Sequence, residues 1–305
     1  MRYCGIDLHS NNAVVAVIDD QDRVLYCKRL TNDLQLIRAA LAPHMNELLG
    51  VVVEATFNWY WLVDGLIAAG FAVHLANTAA TRQYEGLKYA GDERDAVFLA
   101  HIFRLGLLPE GYIYPQAERS LRDLARKRLQ LVQQRTLHIL SIESLLARQI
   151  NVRMNGERIQ RLDDGAIHAF GLPLHVERAM MANMAVLRTL RGEIVAFETI
   201  LHHEVRLRPE FVMLKTTPGI GDVLAATIML ETGAISRFAS VGQFSSYRRC
   251  VDSRRISNGR KKGEGNTKNG NRYLAWAFIE ATPGRFAIAP RREPFMNAKR
   301  PGVFQ

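Results

Sequence analysis

The sequence predicts a mixed α/β unit at the start, a long helical middle and a basic, mainly helical end. Three observations predict it. Two apolar, β-branched runs, Tyr3 to Asp7 and Ala13 to Asp19, flank a short polar break, which reads as a strand, a turn and a returning antiparallel strand. Two more such runs alternate with helix-periodic stretches as far as residue 108. Beyond residue 115, apolar residues recur at steps of three and four over two stretches much longer than an average globular helix.

Taken in order, Val24 to Leu30 follows the Asp19-Asp20-Gln21-Asp22 turn as a third strand. Thr31-Asn32-Asp33 caps a helix running through Leu34, Ile37 and Leu41 towards Met45. Leu49 to Ala55 reads as a buried strand that carries Glu54 at its end, Trp59 to Ala69 as a helix closed by Gly70, and Phe71 to Leu75 as another strand. The order βββαβαβ gives a mixed sheet with helices packed on it, the order of a ribonuclease-H-like fold. Glu85 to Leu108 follows, with Asp92 and Asp95 near the start of an apolar-periodic helix (Ala96, Leu99, Ala100, Phe103). Residues three apart share a helix face, so these two carboxylates point the same way. Leu107 to Gly111 ends the unit and Tyr112 to Pro115 reads as a linker, which sets a first domain at 1–115.

Residues 116–209 read as a helical arm. Leu121, Leu124, Leu131, Val132, Ile139, Ile142, Leu146 and Ile150 mark a heptad-like seam, and a second helix runs from Val176 to Val205. The pair suggests a coiled coil, folded as a hairpin, used as a dimer interface, or both. Arg119, Arg122, Arg126, Lys127, Arg128 and Arg135 lie between the seam residues, as a solvated face or as a stripe that tracks phosphates.

The C-terminal domain, 210–305, opens with Thr217-Pro218-Gly219-Ile220-Gly221 between two helices, a turn that resembles a helix-hairpin-helix element. Gly219 and Gly221 would let backbone N–H groups approach a phosphate, or would serve turn geometry alone. A helix over Phe238 to Tyr247 precedes the most basic stretch, Arg248 to Arg272. Its Arg254, Arg255, Arg260, Lys261, Lys262 and Lys268, with interspersed glycine and asparagine, read as a flexible cationic loop that moulds to nucleic acid. Tyr273 to Ala281 resumes a helix, and poor order is expected from Thr282-Pro283-Gly284 onward.

The chain has 305 residues, 48% of them hydrophobic and 23% charged, with a formal charge of +10. That excess points to a polyanionic partner, nucleic acid first. The three cysteines, Cys4, Cys27 and Cys250, are widely spaced without metal-type pairing and read as reduced thiols of a cytoplasmic protein. Asp7 falls where a signal peptide needs an apolar segment, and Glu54, Asn58, Asp64 and His74 interrupt the best membrane-spanning candidate, so no membrane partner is expected.

Asp7 is the first residue to explain, because a charge in a central strand is costly unless it is paired or holds a metal. Asp7, Glu54, Asp92 and Asp95 can converge at one end of the sheet. Hard oxygen ligands of that kind suit Mg²⁺, and a pair of ions would stabilise both the attacking and the leaving oxygen of a phosphodiester displacement. The plainer reading of Asp92 and Asp95 is ordinary negative charge at a helix N-terminus. Ser257, in the cationic loop, is either a polar loop residue or a nucleophile able to form a covalent phosphoserine.

Gly5-Ile6-Asp7, Val53-Glu54-Ala55-Thr56, Asp92-Glu93-Arg94-Asp95-Ala96, Thr217 to Gly221, Ile256-Ser257-Asn258-Gly259 and Gly263 to Asn271 occur in an order that resembles the DEDD-type insertion-sequence transposases, the bridge-RNA-guided serine recombinases. The resemblance spans residues 1–281. It implies a RuvC-like domain, a coiled-coil arm and a C-terminal transposase domain acting on donor and target DNA. It also implies Mg²⁺ on Asp7, Glu54, Asp92 and Asp95, with Ser257 as nucleophile. A guide RNA is implied as partner, as is a homo-oligomer (dimer or tetramer) in which the acids of one protomer meet the serine of another. After Ala281 the sequence departs from the family's longer basic tail, which reads as a truncated or frame-shifted copy. The competing functions are a defective copy that only binds nucleic acid, and a RuvC-like junction nuclease that uses water. An actin-like sugar kinase also opens with Gly5-Ile6-Asp7, but the glycine-rich phosphate loops of that fold are missing.

Overall fold

The computed structural model describes residues 1–81, 91–251, 254–264 and 269–288. The chain divides into two compact units, Met1–Gln116 and Ala117–Gln305.

In the first unit, β1 (Arg2–Leu8), β2 (Asn12–Asp19), β3 (Val24–Thr31), β4 (Leu48–Glu54), β5 (Val73–Ala76) and the short β6 (Glu110–Gly111) form one sheet. The order is β3-β2-β1-β4-β5-β6. β2 lies antiparallel to both β1 and β3, β4 is parallel to β1, β5 is parallel to β4, and β6 closes the edge antiparallel to β5. This mixed α/β arrangement is compatible with the expected ribonuclease-H-like domain.

Because side chains alternate along a strand, each strand serves two layers. Cys4, Ile6, Leu8, Val51 and Val53 pack against Ile37 and Leu41 of α1 (Leu34–Leu41) and Leu62 and Leu66 of α2 (Tyr60–Ala68). Asp33 caps α1 by accepting from the N–H groups of Gln35 and Leu36, and Pro43 then turns the chain into a 3-10 segment, Ala42–Glu47. The short α3 (Thr78–Thr81) follows β5. The opposite face of the sheet is covered by α4 (Asp92–Arg104). Val52 packs on Leu99 and Ile102, and Tyr3 meets Phe103 edge-on at 5.9 Å. Residues 82–90, where the sequence reading begins this segment at Glu85, lie outside the described residues.

The approach of α4 to the sheet is closest at Gly5. A Cβ there would stand 2.0 Å from the Ala96 carbonyl oxygen and 2.7 Å from the Ala100 nitrogen. The glycine of Gly5-Ile6-Asp7 is therefore required by backbone-to-backbone packing.

In the second unit, α5 (Gln116–Ile150) and α8 (Leu174–Val205) pack antiparallel, with α6 (Gly156–Ile159) and α7 (Asp164–His168) between them in sequence. Ile142 and Leu146 share a cluster with Met180, Met184 and Leu187, whereas Leu131 meets Leu190 and Ile194. Four of the cations between the seam residues are not a solvated face, whereas Lys127 is exposed and Arg135 half-buried. Arg119 and Arg122 are buried, Arg128 pairs with Glu198 of α8, and Arg126 makes a fork–fork pair with the buried Glu231 at 2.5 and 2.8 Å.

Helix α9 (Pro209–Lys215), the Thr217–Gly221 turn and α10 (Asp222–Thr232) come next, then a 3-10 turn (Ile235–Arg237) and α11 (Val241–Tyr247). The cationic stretch contains ordered structure that the sequence reading missed: β7 (Arg254–Ser257) and β8 (Arg260–Glu264) form an antiparallel hairpin. The signal was present in Asn258-Gly259, whose positive φ angles of 51° and 69° are those a two-residue hairpin turn demands. Helix α12 (Arg272–Ile288) runs through Pro283 instead of breaking at Thr282-Pro283-Gly284 as expected. A proline inside a helix forfeits one hydrogen bond and kinks it without necessarily ending it. Residues 289–305 lie outside the described residues.

The Gly5 contact sets a stability test. Gly5→Ala is expected to lower unfolding stability by about 3 kcal/mol, since backbone cannot move aside as a side-chain tip can. Urea denaturation of the purified variant checks it; an unchanged midpoint would contradict the packing described.

Candidate functional site

Helix α4 runs antiparallel to β1, with Ala96 and Ala100 over Gly5 and Phe103 over Tyr3, so its N-terminus overhangs the C-terminal end of that strand. Asp92 and Asp95 precede Ala96 and Leu99 by one helical turn each and continue the stripes that pack on the sheet. In β1 and β4, Ile6 pairs with Val53, which leaves Asp7 and Glu54 as the next residues on two parallel neighbours. Their alternation with Ile6 and Val53 directs both towards the α4 layer. The two carboxylates therefore lie at the same end and on the same face of the sheet.

Asp7 is 3% exposed, and its Oδ2 has no hydrogen-bond donor among the described residues. The Nε2 atom of His9 stands 3.4 Å from that oxygen and 3.3 Å from Asp92 Oδ2. The ligand atoms of Asp7, His9 and Asp92 all lie within 4.8 Å of one another. Glu54 and Asp95, both half-buried, stand outside this set, and one Asp95 carboxylate oxygen is enclosed. The structure thus groups Asp7 with Asp92 and adds His9, which the sequence reading overlooked. A signal existed: His9 follows Asp7 by two residues, the strand spacing that keeps side chains on one face.

The loop carrying His9 is held from three directions. Its N–H donates to the Asn12 carbonyl at 2.8 Å. Its own carbonyl accepts from Asn32 Nδ2 at 3.0 Å and from Asn58 Nδ2 at 2.9 Å. Asn58 is itself tied to the Thr56 hydroxyl at 2.9 Å. Arg29, on β3, donates to Asp92 Oδ2 at 2.5 Å and to Asn12 Oδ1 at 2.9 Å. The Arg29 guanidinium, with His9 beside it, holds the Asp92 carboxyl below the usual carboxylate range.

In the second unit, Ser257 is the last residue of β7 and pairs directly with Arg260 across the Asn258-Gly259 turn, so both side chains project from one face of the hairpin. Ser257, Arg260, Lys261 and Lys262 are exposed. Arg254 and Arg255 belong to the same strand, and Lys268 lies outside the described residues. The described residues flanking 252–268 are joined to one another. Asn271 N–H donates to the Tyr247 carbonyl at 2.6 Å, Arg249 donates to the Gly270 carbonyl, and Asn271 Nδ2 reaches Glu231 at 2.7 Å. In the α9–α10 turn, Gly219 has φ +89° and Gly221 precedes α10, whose first residue, Asp222, pairs with Lys215.

Residues 4–150 match the family model of the IS110 DEDD transposases, and residues 212–295 match the model described as the transposase of the IS116/IS110/IS902 family. The chain carries two IS110-family transposase domains. No curated protein matches it. Transposase domains of this kind belong to an enzyme that acts on DNA. The first contains Asp7, Glu54, Asp92 and Asp95, and the second contains Gly219, Gly221 and the Ser257 hairpin. Among the described residues, no helix is long and apolar enough to cross a membrane.

The transposase family implies a divalent metal, and the residues present fit one. An enclosed carboxylate oxygen without a donor is costly by several kcal/mol unless a cation meets it. Asp7 Oδ2 is such an atom, and its neighbours are a second carboxylate and an imidazole nitrogen.

The ion pair over Asp92 has a measurable consequence. In the metal-free protein its carboxyl titrates below the unfolded value, so the pair's contribution is complete above that value and is lost as pH falls through the folded one. Arg29→Gln is expected to move the Asp92 titration upward, read by ¹³C NMR of the carboxyl carbon from about pH 2 to about pH 6.

Proposed function

We propose that this IS110-family transposase cleaves and rejoins DNA through Ser257, assisted by Mg²⁺ or another divalent ion at Asp7, Glu54, Asp92 and Asp95. The observation that carries the reading is the meeting of buried Asp7 with Asp92, with Glu54 next in register on the neighbouring strand. A divalent ion there supplies Lewis-acid stabilisation of charge on the phosphoryl oxygens. The carboxylates hold and orient it. Ser257 Oγ forms a bond to phosphorus while the bond from phosphorus to one deoxyribose oxygen breaks; the serine proton passes to solvent and the leaving oxygen takes one up. A second strand's hydroxyl then attacks the phosphoserine and releases Ser257, so the phosphodiester energy is conserved.

Exposure of Ser257 on a hairpin tip, with Arg260 on the same face, supports the nucleophile assignment, because guanidinium charge stabilises the phosphorane. Arg254, Arg255, Lys261, Lys262 and Lys268 are read as backbone contacts to DNA or to a structured guide RNA, and Gly219 and Gly221 as the phosphate-facing turn of a helix-hairpin-helix element. The antiparallel α5–α8 pair is read as a coiled-coil arm. Residues 1–115, 116–209 and 210–305 form the RuvC-like, arm and transposase domains of this reading. The protein works as a homo-oligomer, in the cytoplasm, where its DNA is.

Recombination of donor and target plasmids with the flanking RNA supplied tests the proposal. Ser257→Ala is expected to abolish covalent protein–DNA adducts on denaturing gels, and Asp7→Asn to lower recombination by more than about 100-fold. Adducts that persist in Ser257→Ala overturn the nucleophile. Free 5′-phosphate ends without adduct select a water-using junction nuclease, and tight binding without strand transfer selects a defective copy.

A further inference from the structure

We infer that His9 is an inner-sphere nitrogen ligand of the divalent cation, so that the centre is a mixed nitrogen–oxygen site favouring a transition-metal ion such as Mn²⁺ over Mg²⁺. The inference rests on the divalent-metal reading above and adds to it a ligand and a metal preference.

Distance is the first argument. Ligands bound about 2.1 Å from one ion lie about 3.0 Å apart at a right angle and about 3.4 Å apart at the tetrahedral angle. His9 Nε2 stands 3.4 Å from Asp7 Oδ2 and 3.3 Å from Asp92 Oδ2, inside the spacing that shared coordination needs. A charge-assisted N–H···O bond would close to about 2.7–2.9 Å. His9 Nε2 and Asp7 Oδ2 are both enclosed, and among the described residues their only polar contacts, at 3.4 Å to each other and 3.3 Å from His9 to Asp92, fall short of well-formed hydrogen bonds. Two enclosed polar atoms face each other at a distance longer than a strong hydrogen bond and one that suits a cation shared by both.

Preorganisation is the second argument. His9 is on the loop after β1, yet its backbone is tied to Asn12, Asn32 and Asn58, which come from three separate stretches of chain. Two of these bonds converge on one carbonyl, so the backbone that carries the imidazole is held in place by contacts within the protein. Arg29 also holds Asp92 Oδ2, and a carboxylate oxygen has a second lone pair to offer a metal.

The donor chemistry then sets the preference. Carboxylates alone suit Mg²⁺, whereas an imidazole among them raises affinity for first-row transition ions, which bind nitrogen more strongly.

The test uses the full chain, titrated with Mn²⁺ and with Mg²⁺, together with pulsed EPR of the Mn²⁺-loaded protein. The wild type is expected to show ¹⁴N coupling from imidazole and to bind Mn²⁺ at least about 10-fold more tightly than Mg²⁺. His9→Ala is expected to lose the coupling, to weaken Mn²⁺ at least about 10-fold, and to regain the coupling when free imidazole is added. A wild-type Mn²⁺ spectrum without nitrogen coupling overturns the assignment, and needs no variant to fold. Asp7→Asn separates the two levels. If Asp7→Asn binds Mn²⁺ as tightly as the wild type, the divalent-metal reading itself fails. If Asp7→Asn loses Mn²⁺ while His9→Ala keeps it with the coupling intact, only the His9 inference fails.

Discussion

The contact between the α4 backbone and β1 at Gly5 governs the first unit. Only a residue without a Cβ lets the Ala96 carbonyl approach this strand. That approach fixes how far α4 slides along the sheet, and thereby sets Asp92 over the end of β1 beside Asp7. A helix one side chain further from the sheet would carry its acidic first turn away from the strand acids. The glycine two residues before Asp7 thus helps to set the geometry of the acid cluster although it makes no polar contact there itself.

The acid cluster is held ready by contacts that do not depend on a ligand. Hydrophobic burial on the α1–α2 face pins β1 and β4 in parallel register, which brings Asp7 and Glu54 abreast. The asparagines around His9 and the Arg29 pair on Asp92 then fix what the core leaves loose at the strand end. Arg29 has a second effect, since a guanidinium on Asp92 relieves the mutual repulsion of neighbouring carboxylates.

The second unit solves a related problem around Ser257. The described residues on either side of 252–268, the stretch that carries the Ser257 hairpin, are tied to one another and to the helical core. There the buried Glu231 accepts from Arg126 on α5 and from Asn271 at the start of α12, while Asn271 N–H closes onto Tyr247 at the end of α11. Arg126 also stacks 4.6 Å over the Tyr273 ring, and its guanidinium is held charged well above the usual arginine range by Glu231. A buried pair of this kind is weak evidence for net stability, but removing one partner would strand a charge.

Much of this was legible in residue order. Continuous apolar, β-branched runs placed β1 to β5, the 3.6-residue period placed α4, α5 and α8, and the intrusion of a charge into β1 singled out Asp7, because strands buried on both faces leave an unbroken apolar run. Other features were not legible, because they depend on which distant segments meet. His9 gains meaning only when Asn32 and Asn58 draw its loop in and α4 brings Asp92 to it. Arg126 and Arg128 read as free cations until Glu231 and Glu198 arrive from far along the chain. The Ser257 hairpin has a local signal in Asn258-Gly259, but its basic strands lack the apolar alternation that marks a strand. The sequence by itself determined the elements and the chemistry each carries, since propensity and periodicity act over a few residues. Tertiary structure alone decided which of those groups share a site, because strand register and helix approach are set by contacts between segments far apart in the chain.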